Sequence, residues 1–93
     1  MNEIQVCTFI KKYHVKQEML KLFISLLKNN TIEDLDVTDK KLTLQIEEIE
    51  GKLISDNQLL FKAKIIQNNN EIGYYSLIYS NSANLIDEFF VIY

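Results

Sequence analysis

Cys7 and His14 are the only thiol and the only imidazole in this chain, and together they bound the nucleophilic chemistry it could attempt. A cysteine attacks as its thiolate, so it needs a base or an electropositive site beside it. Residues 3–10, Glu-Ile-Gln-Val-Cys-Thr-Phe-Ile, are rich in β-branched and aromatic types and read as a strand. Odd and even positions of a strand face opposite ways, so Cys7 and His14 are expected to point apart. Cys7 is then expected to be an inert, buried cysteine, and His14 a boundary residue at a helix start. A helix capped by Asn2 and running through the same segment is the rival reading. A structural zinc site needs four ligands of these kinds, and the chain has one of each.

Carboxylates are the second source of chemistry. Glu47, Glu48 and Glu50, with Asp87 and Glu88, could supply an acid–base pair, but glycoside hydrolysis needs the two carboxyls about 5–9 Å apart across a cleft. A sheet this small leaves little room for one, and a solvated strand edge is expected. The cluster Glu33, Asp34, Asp36 and Asp39 lacks the spacing and closing glutamate of a calcium-binding EF-hand loop. Two isolated glycines, Gly51 and Gly73, cannot build a phosphate-binding loop. No catalytic residue, metal or cofactor is expected.

The elements that position these groups begin with a helix over residues 15–28. Val15, Met19, Leu22, Phe23, Leu26 and Leu27 fall on one face, and Lys28 suits the negative end of the helix dipole. Leu20 and Ile24 widen the apolar stripe, so the helix is expected to be covered on more than one side. Thr31-Ile-Glu-Asp matches a capping box opening one short turn over 32–36. Leu42, Leu44 and Ile46 alternate with polar residues as a half-buried strand; a bulge near Glu50-Gly51 would carry it on through Leu53-Ile54. Strands then follow at 59–66, 72–79 and 85–93, separated by the turn residues 55–58, 68–71 and 80–84. Connections this short make the last four strands an antiparallel meander.

The predicted fold class is therefore α+β: one amphipathic helix on a curved antiparallel sheet, in the order β-α-β-β-β-β, within a single domain spanning residues 1–93. That order resembles cystatin-like folds and the larger cone-shaped folds of the ketosteroid isomerase superfamily. The chain has neither a glycine near its N-terminus nor a Gln-x-Val-x-Gly loop, so the resemblance does not carry over cysteine-protease inhibition. Residues 4–27 are also similar to the strand-then-helix opening of small dimeric ferredoxin-like monooxygenases, whose second helix is missing from the rest of the chain.

Charge narrows the partners. The 93 residues have a net charge of −3, with 47% hydrophobic and 25% charged residues, which is a globular composition. Residues 1–30 carry five lysines against two glutamates; residues 31–60 carry eight acids against three lysines. Arginine, the usual reader of guanine edges and phosphates, is absent. The aromatic residues near the C-terminus neighbour Asp87 and Glu88, which argues against nucleic acid. No apolar run approaches the ~20 residues of a membrane helix. One cysteine and no export signal point to the cytoplasm.

The strongest functional signal is that residues 72–79 and 85–93 are apolar on both strand faces. One helix covers one face of a sheet. The other face then presents Tyr74, Tyr79, Phe89, Val91 and Tyr93, flanked by Glu47 and Glu50, to a partner. The expected function is a non-enzymatic protein–protein interaction module, either a homodimer or an acidic inhibitor or immunity-type protein masking a basic surface. The competing expectation is a small-molecule binding protein or enzyme subunit with a pocket between helix and sheet. A filled core between Phe23, Leu27, Phe61 and Leu77 separates the two.

Overall fold

The computed structural model describes residues 3–93, with side chains described from Gln5 onward. Its elements are α1 (Glu3–Lys12), α2 (Val15–Asn29), α3 (Ile32–Leu35), β1 (Thr43–Leu44), a 3-10 turn (Ile46–Glu48), β2 (Glu50–Ser55), β3 (Gln58–Gln67), β4 (Asn70–Ser80) and β5 (Leu85–Ile92). The fold is α+β with an open antiparallel sheet of five strands. β1 and β2 lie end to end along one edge of β3, followed by β4 and β5, so the sheet is four strands wide.

The segment expected to be the first strand is a helix. Val6, Phe9, Ile10 and Tyr13 recur at the i, i+3, i+4, i+7 spacing of one helical face and pack on the core. A helix satisfies its own backbone hydrogen bonds, whereas a strand here would need a neighbour. The observed order therefore opens with three helices, α1 to α3, in place of β-α-β-β-β-β. Asn2, the proposed cap, and the Ile4 side chain lie outside the described residues. His14 sits at the joint in the left-handed conformation, φ 53°, and turns the chain from α1 into α2.

Gly51 allows α1 to close on the sheet. A Cβ there would lie 2.6 Å from Val6 Cγ1 and 2.8 Å from the Phe61 ring. Gly73 serves a tighter approach: its Cβ would lie 1.9 Å from the Val91 carbonyl oxygen.

Both helices lie on the same face of the sheet. Leu59, Phe61, Ala63 and Ile65 of β3 and Tyr75, Leu77 and Tyr79 of β4 are buried there against Phe9, Val15, Met19 and Phe23. Burying one such side chain fully contributes about 1.5–3 kcal/mol. Leu27 is only partly buried at the margin of this core. α2 is covered on one side only, contrary to expectation: Leu20 is 40% exposed and Ile24 56%.

α3 forms as its capping pattern predicts, with the Asp34 N–H donating to Thr31 Oγ1 at 3.1 Å. The strand expected from Leu42 through Ile54 is instead two strands. Ahead of the expected bulge at Glu50-Gly51, the chain makes a 3-10 turn over Ile46–Glu48 and returns to the same edge of β3. The β3–β4 connection is a two-residue hairpin at Asn68 (φ 51°) and Asn69 (φ 66°). Asparagine tolerates these left-handed angles better than most residues.

Candidate interaction surface

Strand register assigns each side chain to a face, because cross-strand partners point the same way. Three rows cross the face opposite the helices. Lys52, Leu60, Ile78 and Asp87 make one row; Glu50, Lys62, Ser76 and Phe89 the next; Lys64, Tyr74 and Val91 the third. No described element covers this outer face. Tyr74, Phe89, Val91 and Glu50 stand on it. Tyr93 stands at its end, 70% exposed, with its ring 6.3 Å from that of Tyr74.

Two of the predicted residues are not there. Tyr79 belongs to the helix face and is 3% exposed. Its ring lies 6.0 Å from Phe9 and 5.8 Å from Phe61, and its hydroxyl donates to Glu18 at 2.5 Å. Both sides of β4 are apolar, so alternation alone could not say which side meets the helices. Glu47 lies in the 3-10 turn on the helix side, 3.4 Å from Lys16 Nζ.

A groove of about 500 Å³ runs across the middle of the outer face, between Ile54, Leu60, Tyr74, Ile78 and Phe89. Its floor is Ser76, only 2% exposed. Ser76 is buried because longer neighbours, Lys62 and Phe89 across the strands and Tyr74 and Ile78 along its own, rise around it. The Lys62 ammonium lies 4.2 Å over the Tyr74 ring, an electrostatic attraction to the ring face. At the end of the face Tyr93 donates its hydroxyl to Glu71, which also sits 3.8 Å from Lys64 Nζ. That hydrogen bond is the leading reason the Tyr93 hydroxyl is held above its ordinary pKa.

The helix side carries two part-buried tyrosine–carboxylate contacts that alternation did not reveal. Tyr79 donates to Glu18 of α2, and Tyr75 donates to Glu88 of β5. Burial, then these hydrogen bonds, then the carboxylate charges hold both hydroxyls well above 10.0, their ordinary pKa. At pH 7 both tyrosines are neutral donors, a structural role.

The groups with nucleophilic potential have a different arrangement from the one expected. Cys7 is exposed, not buried. As part of a helix it faces the same way as His14, and both line a second groove of about 410 Å³, with Lys16 and Glu47, between the helices and the 3-10 turn. Among the described residues no hydrogen bond joins Cys7 to His14, and Lys11 lines the same groove. Glu50 and Asp87 stand on opposite edges of the outer face, three strand spacings across and two residues along, about 16 Å apart, too far for paired acid–base work on one bond. Among the described residues, no group of three His, Cys, Asp or Glu side chains is placed to hold a metal ion. No described helix is long and apolar enough to cross a membrane.

Comparison with known proteins returns no match, whether to family models, to curated proteins or to solved structures.

Proposed function

We propose that this chain is a non-enzymatic protein–protein interaction module whose contact surface is the outer face of its sheet. The observation that carries the reading is that the helices cover one face while the other keeps Leu60, Tyr74, Ile78, Phe89 and Val91 without a covering element. A cluster of aromatic and aliphatic side chains ringed by a few charges matches the make-up of interface cores. The partner is a protein: a second copy, or a basic protein drawn by the acids of residues 31–60.

A second reading, a small-molecule site, has one observation in its favour. The outer groove, at about 500 Å³, falls within the range of ligand pockets. It lies on the face opposite the one expected from sequence, since the space between helices and sheet is filled by Phe23, Phe61 and Leu77.

The test is a Tyr74→Ser/Phe89→Ser double variant, checked for native circular dichroism and then compared with wild type for association. Association is expected to disappear while the fold remains. A double variant that associates like wild type overturns the reading. Thermal stabilisation by small amphiphilic molecules, in a chain that binds no protein, would instead favour the ligand site.

A further inference from the structure

We infer that the outer face is where two copies of this chain pair, stacked sheet to sheet about a two-fold axis parallel to the strands and midway between β3 and β4. This rests on the interaction reading above and names the partner. The argument comes from the three rows of side chains. Rotation about that axis keeps each row at its height and reverses its order, so β2 faces the partner's β5 and β3 faces the partner's β4.

In the row of Lys52, Leu60, Ile78 and Asp87, Lys52 then meets the partner's Asp87, and Asp87 the partner's Lys52. Between these two ion pairs Leu60 packs on the partner's Ile78, twice. In the next row Lys62 lies over the partner's Ser76, so a long side chain faces the groove floor. Phe89 meets the aliphatic stem of the partner's Glu50, whose carboxylate stays in water at the rim. In the third row Lys64 faces the partner's Tyr74, a cation over an aromatic ring.

The other two-fold axis lying between stacked sheets runs across the strands. Through the Ser76 row it would put Asp87 on the partner's Val91 and Lys64 on the partner's Leu60. Charges would be laid on apolar groups, which is unfavourable without a partner. The strand-parallel axis forms both Lys52–Asp87 pairs and both Leu60–Ile78 contacts and sets no like charges directly opposite, whereas the cross-strand axis through the Ser76 row also sets Glu50 on Glu50 and Lys62 on Lys62.

The area is sufficient. A sheet ten residues long and four strands wide measures about 33 by 19 Å, or about 600 Å² per copy. Two copies bury about 1,200 Å², the lower end of specific interfaces, so the dimer is weak and concentration-dependent. Stacked sheets of normal twist keep their strands within about 30° of each other, which preserves the row-to-row pairing near the centre.

Charge exchange tests the geometry. Lys52→Glu and Asp87→Lys, both at exposed positions, should each turn two attractions into two repulsions and weaken self-association on the order of ten-fold or more. The Lys52→Glu/Asp87→Lys double variant should dimerise like wild type. So should an equimolar mixture of the two single variants, as a heterodimer. Within one copy the two residues are about 14 Å apart, so rescue cannot come from a contact inside the chain. Sedimentation equilibrium over about 5–500 µM, at low and high salt, reads the outcome.

A wild-type chain that stays monomeric throughout overturns the second copy as partner and leaves the interaction reading to be judged with other proteins. A dimer abolished by Tyr74→Ser/Phe89→Ser but indifferent to either charge reversal, or not rescued by the double reversal, overturns this axis and keeps the face. A dimer indifferent to both sets of variants overturns both readings.

Discussion

Replacing Tyr79 with serine should remove a large part of the stability of this protein, although Tyr79 is among the residues expected on the binding face. The residue is 3% exposed, wedged between the Phe9 and Phe61 rings, and tied through its hydroxyl to Glu18. Truncating a buried aromatic ring costs about 3–5 kcal/mol, and a chain of this length has about 5–14 kcal/mol in total. Tyr79→Phe isolates the hydroxyl. A hydrogen bond to a charged group contributes about 1.5–3 kcal/mol, with the lower end expected because half-buried Glu18 can turn to water. Phe89→Ser, at a side chain already 44% exposed, should cost under about 1 kcal/mol. Urea unfolding followed by circular dichroism should therefore rank the midpoints wild type, Phe89→Ser, Tyr79→Phe, Tyr79→Ser, with a common slope. If Tyr79→Ser unfolded at the same midpoint as Phe89→Ser, the assignment of β4 side chains to faces would be wrong. If Tyr79→Phe cost as much as Tyr79→Ser, the ring packing would carry no weight.

Two further outcomes follow from the same core. Tyr75 and Tyr79 keep their protons in the folded state above 10.0, the ordinary tyrosine value. Their contribution is complete below about pH 10 and declines above it as the unfolded chain ionises first, by about 1.4 kcal/mol per pH unit for each tyrosine; Tyr79→Phe should remove its share of that slope. Stability that stays flat to pH 11 would refute it. Gly73→Ala sets a Cβ 1.9 Å from a backbone oxygen of β5, whereas Gly51→Ala meets the Val6 and Phe61 side chains, which can shift. Gly73→Ala should therefore be the more damaging, by about 2–3 kcal/mol, with early amide exchange at the end of β5; equal stability of the two variants would contradict the close approach.

Much of this architecture was legible in the sequence, and each part for a local reason. The helix over Val15–Asn29 follows from apolar residues repeating at the helical period. The three long strands follow from β-branched and aromatic runs cut by asparagine- and serine-rich turns. The count of apolar residues in β4 and β5 exceeded what helices on one side could cover, and Tyr74, Phe89 and Val91 do stand on the outer face.

Tertiary structure decided what local pattern left degenerate. Residues 3–12 carry β-branched types at spacings that suit either a strand or a helix. The helix prevails where its apolar face meets the core and Gly51 leaves space for Val6. That change also turned Cys7 outward and brought it to the same groove as His14. In β4, Tyr79 and Ile78 are both apolar enough to be buried, and a period of two cannot choose between them. The choice is made across the sheet, where Tyr79 pairs with Leu59 beneath the helices and finds in Glu18 an acceptor for its hydroxyl. The sequence alone determined that one sheet face would be left over; which side chains line it depended on contacts between residues far apart in the chain, which local periodicity does not encode.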